Sequence, residues 1–341
     1  MGRGLAKKVV KRLDRNLEGP ISNFIEQFRY GHREILILYA GLQKNLAIRG
    51  SIEHGWSPFG PSAGVPKLFG KRFLHLAWSS STMRRNGSDY SENVIAIGAP
   101  FLYLMKILEA KSDIWTKNFV NDYLFIPPHG GETEFPLLES FISEYSDNFD
   151  VKKSTALLYW TEFLNPKIRE LYEQSGFTVT CSGFCGMSLN EGLGFSTRER
   201  AISGMGARSS FLLNTVRNIS SHREIVAGTF GTSTLYAGYM RKAVTLLPNW
   251  NQFDSDYTNP KDKIRVSDQP FYRYLSTEVV PRHFTELLAA KDSFSNYCAE
   301  ELGLADVLSP IELRSLLGGN LFTISSSRAV LDLEKEIEYL D

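Results

Sequence analysis

The chain has 341 residues, 43% of them apolar and 12% aromatic, long enough to bury more than one core, and two domains are the expectation for that length. Its 38 basic and 38 acidic residues cancel, which excludes a general electrostatic attraction to nucleic acid, so no nucleic-acid partner is expected. Three cysteines, Cys181, Cys185 and Cys298, are too few and odd in number for a disulfide framework and point to a reducing, cytoplasmic setting.

Residues 1–30 open with Arg3, Lys7, Lys8, Lys11, Arg12 and Arg15 against one acid, Asp14, with Leu5, Val9, Leu13 and Leu17 at every fourth position. This pattern predicts a basic amphipathic helix. Two readings stand side by side: a solvated surface helix, or residues 1–15 resting on an anionic membrane at its inner face. The segment lacks the apolar region and cleavage site of a signal peptide, and Ala6 stands where a myristoylation motif needs Ser or Thr. The longest apolar runs, ILILYAGL near 35 and VIAIGAPFLYLM near 94, fall far short of the roughly 18 to 20 residues that span a bilayer.

A first α/β domain is expected over 31–115, with strands at EILILYA (34–40), SIEHGW (51–56), RFLHLAW (72–78) and NVIAIGAP (93–100) between Gly-, Pro- and Ser-rich turns. A helical stretch over 101–120 leads into a second domain, 116–300. There, strands at 123–127, 154–160, 177–183, 224–229 and 243–248 alternate with helices at 166–175, 206–219 and 233–241, which predicts βαβ units and a parallel sheet. The helix at 166 is well marked by Asn165 as N-cap, Pro166 at its first position and Gly176 after its end. A long polar loop follows Pro248, then a helix near 276–290. The segment 301–341 carries a capping box, Ser309 with Glu312, and a last helix with Val330, Leu333, Ile337 and Leu340 on one face, expected to dock on the body. No internal repeat or low-complexity segment is present.

In an open parallel sheet, ligands sit outside the carboxyl ends of the strands. That rule nominates PPHGGE at 127–132, the turn after residue 160, SGFCGMS at 182–188, and TFGTST at 229–234. The last places Gly231, Thr232, Ser233 and Thr234 at the start of a helix, where unpaired amides and the positive end of the helix dipole suit a phosphate. A tight capped turn holding no ligand is the alternative. His54 in SIEHGW and His129 in PPHGGE follow predicted strands, stand beside glycine, and have Glu53 and Glu132 near them. Either could act as a base toward a hydroxyl in a cleft, or be bonded to nearby backbone. His32, His75, His222 and His283 have no comparable setting. Neither GxxxxGK[ST], nor GxGxxG after a strand, nor GxSxG occurs. Without H-E-x-x-H or a Cys/His quartet, no metal and no cofactor are expected.

The segments NLAIRGSIEHGW, IGAPFLYL, LFIPPHGGE, ALLYWTEF and REIVAGTFGTSTLYAGYMRKAVTLL, in that order over roughly residues 40–250, resemble bacterial glycosyltransferases of the two-domain GT-B type that build surface polysaccharides. The group includes the CDP-glycerol glycerophosphotransferases and some capsule and O-antigen transferases. The resemblance implies an α/β fold of two Rossmann-like domains facing across a cleft, with C-terminal helices. It puts His54 on the acceptor side as base or as the base's partner, with Glu53 beside it. It assigns Gly231, Thr232, Ser233 and Thr234 to the donor's phosphate, with His129 and Glu132 at that phosphate or the transferred sugar. TFGTS stands where an Asp-Tyr-Ser-Ser-like turn is usual, and the first domain is short, so a sugar nucleotide is favoured over CDP-glycerol. The implied function is transfer of a sugar from a nucleotide-sugar donor to a polysaccharide or lipid-linked glycan acceptor, without a metal. The alternatives are a polyol-phosphate transferase and a non-catalytic scaffold of the same fold.

Overall fold

A computed structural model describes residues 29–53, 55–56, 74–85, 94–110, 119–128, 135–185, 210–228, 230–247, 290–323 and 328–338. The basic segment 1–15, the polar loop after Pro248, nearly all of the helix expected at 276–290, and His54, His129 and Glu132 lie outside them.

The first described element corrects a sequence expectation. EILILYA is not a strand: α1 spans His32–Tyr39. It ends in a Schellman motif, with Gly41 at φ 60° donating to the Leu38 carbonyl (3.1 Å) and Leu42 donating to the Ile37 carbonyl (3.0 Å). A continuous apolar run does not by itself distinguish a buried helix from a buried strand. Here even Arg33 and Glu34 are buried. They pair at 3.1 Å, and Arg33 also donates to the carbonyls of Lys44 and Leu46.

Next come β1 (Leu46–Ile48), β2 (Gly50–Ile52), β3 (Leu74–Ala77), α2 (Ser80–Arg85), β4 (Val94–Ala96) and α3 (Pro100–Glu109). Strands β2, β3 and β4 form a parallel sheet in that order. The larger body contains β5 (Asn121–Ile126), α4 (Phe135–Asn148), β6 (Ser154–Leu158), α5 (Trp160–Phe163), α6 (Pro166–Gln174), β7 (Thr178–Cys181), α7 (Phe211–Ser220), β8 (His222–Ala227), α8 (Thr232–Tyr239) and β9 (Ala243–Leu246). Its five strands are all parallel, in the order β7-β6-β5-β8-β9. The chain therefore starts in the middle, winds to one edge, and returns to wind to the other. The connections that follow β5 and β8 lead to opposite sides of the sheet at this reversal, where such sheets open a crevice.

The C-terminal part is α9 (Lys291–Glu301), α10 (Pro310–Gly318), β10 (Leu321–Thr323) and α11 (Arg328–Glu338). The capping box is formed: Glu312 N–H donates to Ser309 Oγ at 3.3 Å, and Ser309 N–H donates to Glu312 Oε2 at 2.8 Å. Strand β10 pairs antiparallel with β1. Helix α11 ties both bodies together, with Glu334 bonded to Lys44 and Glu336 3.7 Å from Arg217. Helix α9 lies so close to α8 that a Cβ on Gly238 would stand 2.4 Å from Cys298 Sγ. One apolar cluster runs without a break from the first sheet through α1, α3 and α8 to the inner face of the larger sheet. A separate cluster closes that sheet's outer face with α4 and α6. The protein is thus α/β, with two parallel sheets and C-terminal helices. Among the described residues no helix is long and apolar enough to cross a membrane.

Candidate functional site

The crevice at the β5/β8 reversal is narrow at its base. Gly228 N–H donates to the Ile126 carbonyl at 2.8 Å, and a Cβ on Gly228 would stand 2.4 Å from Pro128 Cδ. Any larger residue would push the two strand exits apart. Beyond it Phe230 is buried against the Trp56 ring, with centroids 5.3 Å apart at 80°. Gly231 then caps α8 with extended backbone and no side-chain bond. A Cβ added there meets nothing within 4 Å, so the space in front of it is open.

Helix geometry leaves the first amides of α8 without intrahelical acceptors. Thr232 and Ser233, both half-buried, stand at that end. Thr232 Oγ1 accepts from the Trp56 amide at 2.9 Å, which leaves its own proton to donate. Thr234 also borders the cavity but is only 2% exposed, so it offers a ligand little surface.

These groups open on a cavity of about 310 Å³. Ile126 and Pro127 enter it from the exit of β5, Leu157, Leu158 and Tyr159 from that of β6, and Ser182 from that of β7. Phe211, Leu212 and Thr215 of α7 form another wall, and Tyr30, His32, Gly55 and Trp56 bound it from the side of the first sheet. Three of the four loops nominated by the strand-exit rule, at 127–132, 182–188 and 229–234, reach the cavity through described residues, whereas the fourth, after residue 160, is helix α5 and contributes no lining residue. Among the described lining residues none is Lys, Arg, Asp or Glu. An anion in this cavity is balanced by amides, hydroxyls and the helix dipole.

Glu53 is placed beside the cavity rather than in its wall. Its Oε2 accepts from the Trp78 amide at 2.7 Å and its carbonyl accepts from Trp78 Nε1 at 2.8 Å. Burial pushes its carboxyl up to about 8, with the Trp78 amide bond opposing the shift. Glu53 thus anchors one end of the segment that contains His54. The other end is held by Trp56, whose indole donates to Glu301 Oε2 at 2.6 Å. Pro127 and Pro128 lead toward His129 and Glu132 in the chain.

Ser182 falls in the nominated loop 182–188, but Tyr30 and Thr215 carry no sequence signal for a site, and His32, expected to have no such setting, borders the cavity. His32, 1% exposed, lies in the cavity wall with its ring 6.0 Å from Trp78. His75 and His222 have structural settings. His75 Nδ1 lies 2.6 Å from Ser51 Oγ, and burial lowers it to about 4. His222 Nε2 lies 2.9 Å from Thr155 Oγ1. All three cysteines are free. Among the described residues no group of three or more His, Cys, Asp or Glu side chains could hold a metal ion.

No protein-family model and no curated protein matches the chain. Among solved structures, the S. aureus MnaA-UDP co-structure is similar over 90% of this chain and 70% of its own, with 14% identity and a TM-score of 0.32. At that score the similarity carries no argument about what this chain binds.

Proposed function

We propose that the protein is a glycosyltransferase that moves a sugar from a nucleotide-sugar donor to a polysaccharide or lipid-linked glycan acceptor at the cytoplasmic face of a cell envelope. The observation that carries the reading is the cavity over the β5/β8 reversal, ending on the open turn Gly231–Ser233 at the start of α8.

The donor's phosphates lie against the Thr232 and Ser233 amides and hydroxyls. These stabilise the negative charge that develops on the departing nucleoside diphosphate. His54, between the anchored Glu53 and the cavity-lining Gly55, takes the proton of the acceptor hydroxyl as the new oxygen–carbon bond forms and the carbon–oxygen bond to phosphate breaks. Glu53 itself, buried and neutral at pH 7, positions that segment. His129 and Glu132 belong to the donor side on the resemblance, and the basic segment 1–15 holds the protein at an anionic lipid surface.

The test is a calorimetric and thermal-shift screen with UDP, GDP, CDP and CMP, repeated on a Thr232→Ala/Ser233→Ala double variant and followed by turnover assays with the matching sugar nucleotides. Ligand at 100 times its Kd should stabilise the protein by about 2.7 kcal/mol, and the double variant should lose that gain. Turnover with CDP-glycerol but with no sugar nucleotide would make it a polyol-phosphate transferase instead. Absence of binding to every nucleotide would remove the transferase reading.

A further inference from the structure

The segment that follows β2 is gripped from several sides at Trp56. Its amide donates to Thr232 Oγ1 at 2.9 Å, its indole donates to Glu301 Oε2 at 2.6 Å, and its ring meets Phe230 edge-on. The residue before it lies against the same hydroxyl, since a Cβ on Gly55 would stand 3.4 Å from Thr232 Oγ1. Of these partners, Thr232 is the one that lines the cavity.

The two ends of this chain of bonds differ. Glu301, the last residue of α9, is 3% exposed, and its neighbours are fastened to the first sheet. Ser79 Oγ donates to the Glu300 carbonyl at 2.9 Å, and the Ala99 amide donates to the Leu302 carbonyl at 2.8 Å. That end is fixed. Thr232 is the responsive end. Its oxygen already accepts from the Trp56 amide, and among the described residues nothing takes its one hydroxyl proton, which is left for a ligand.

We infer that Trp56 and Glu301 are positioning residues, through which a phosphate bound at Thr232 sets the Gly55–Trp56 segment of the first body. The inference rests on the donor reading above and adds what the bound donor does to the acceptor side. When a phosphate oxygen accepts the Thr232 proton, Oγ1 gains electron density and becomes a better acceptor for the Trp56 amide, because linked hydrogen bonds polarise one another. With the indole held by Glu301, the backbone at Gly55 and Trp56, next in sequence to His54, is pinned at both ends. A phenylalanine at 56 would keep the ring contact with Phe230 but would lose the hold on Glu301. The coupling runs both ways: whatever loosens Trp56 weakens the phosphate by the factor through which the phosphate tightens Trp56.

The experiment is a double-mutant cycle on the full chain. Pyrophosphate and UDP are titrated calorimetrically into the wild type, Trp56→Phe, Thr232→Val and the double variant, with circular dichroism melts confirming that each is folded. Thr232→Val removes the hydroxyl but keeps the amide and the shape. Each single change should weaken binding about tenfold, the scale of one hydrogen bond to a charged group. The double variant should bind no more weakly than Thr232→Val alone, because the hold of the indole acts through the missing hydroxyl. Glu301→Ala should reproduce Trp56→Phe and likewise add nothing to Thr232→Val. A measurement on the unaltered protein stands beside the cycle: hydrogen exchange at the Trp56 amide, read by mass spectrometry, should slow severalfold when pyrophosphate is added. Losses that multiply in the double variant, wild-type affinity indifferent to Trp56→Phe, or Trp56 exchange unchanged by bound pyrophosphate would overturn the coupling and leave the donor reading standing. Failure of pyrophosphate, UDP, GDP, CDP and CMP all to bind would overturn both together.

Discussion

On the outer face of the five-stranded sheet, Phe125, Ala156 and Val226 meet Phe141 and Tyr145 of α4 and Tyr172 of α6 in a closed apolar cluster. Its named polar contact is Tyr145 with Ser154 at 2.7 Å. On the inner face, the alternate residues Leu124, Leu157 and Ile225 join a cluster shared with the first sheet, in which the Phe101 and Tyr236 rings stack at 4.1 Å. Buried polar contacts gather beside this second cluster: Trp56 with Thr232 and Glu301, Glu53 with Trp78, and Ser182 with Thr215. The same strands therefore supply stability alone on one side, and stability together with a site on the other. Burying polar groups costs free energy unless each is bonded, and here the bonded sets border one cavity. The continuous inner core also joins the two bodies through packed side chains beside the cavity that both of them line.

Four changes separate these faces, in order of expected size. Phe125→Ala removes a fully buried ring from the outer face and should cost about 3–5 kcal/mol. Urea denaturation checks the loss, and nucleotide affinity per folded molecule should not change. Glu53 should make stability depend on pH. Its carboxyl is raised from its ordinary value of 4.5 to about 8 by burial, so its contribution is fully present below about 4.5, declines as pH rises toward 8, and is flat above that. The span is up to a few kcal/mol. Urea midpoints at pH 5, 7 and 9 should show this decline in the wild type and a flatter profile in Glu53→Gln. An unchanged slope in the variant would assign the pH dependence to other groups.

Trp56→Phe keeps the ring against Phe230 but removes the donor to Glu301. It should cost about 1–3 kcal/mol and weaken nucleotide binding as the Gly55–Trp56 segment loosens, which paired denaturation and titration would measure. Ser309→Ala breaks the capping box of α10, remote from the cavity. It should cost about 1 kcal/mol with no effect on binding. A binding loss there would mean that α10 is coupled to the site.

Much of the larger sheet was legible in the sequence because its signals are local. Alternating strand and helix patterns predicted the parallel sheet, Asn165 and Pro166 mark the start of α6, and Ser309 with Glu312 marks α10. Helix α1 was misread because its apolar run carries no periodicity. Gly41, with its positive φ, is what ends the helix in the structure. The pairing of β1 with β10 joins residues some 275 positions apart in the chain, and no local pattern encodes such a contact. The turn Gly231–Ser233 could be found from small and hydroxyl residues at a strand exit. The aromatic walls of the cavity could not, since Tyr30, Tyr159 and Phe211 come from three separate segments that only the folded chain brings together.

The most direct test of the central claim is a crystal structure of the protein with UDP. The account predicts that its phosphates lie within hydrogen-bond distance of the Thr232 and Ser233 amides. Phosphates bound elsewhere, with the Gly231–Ser233 turn left without ligand, would contradict it.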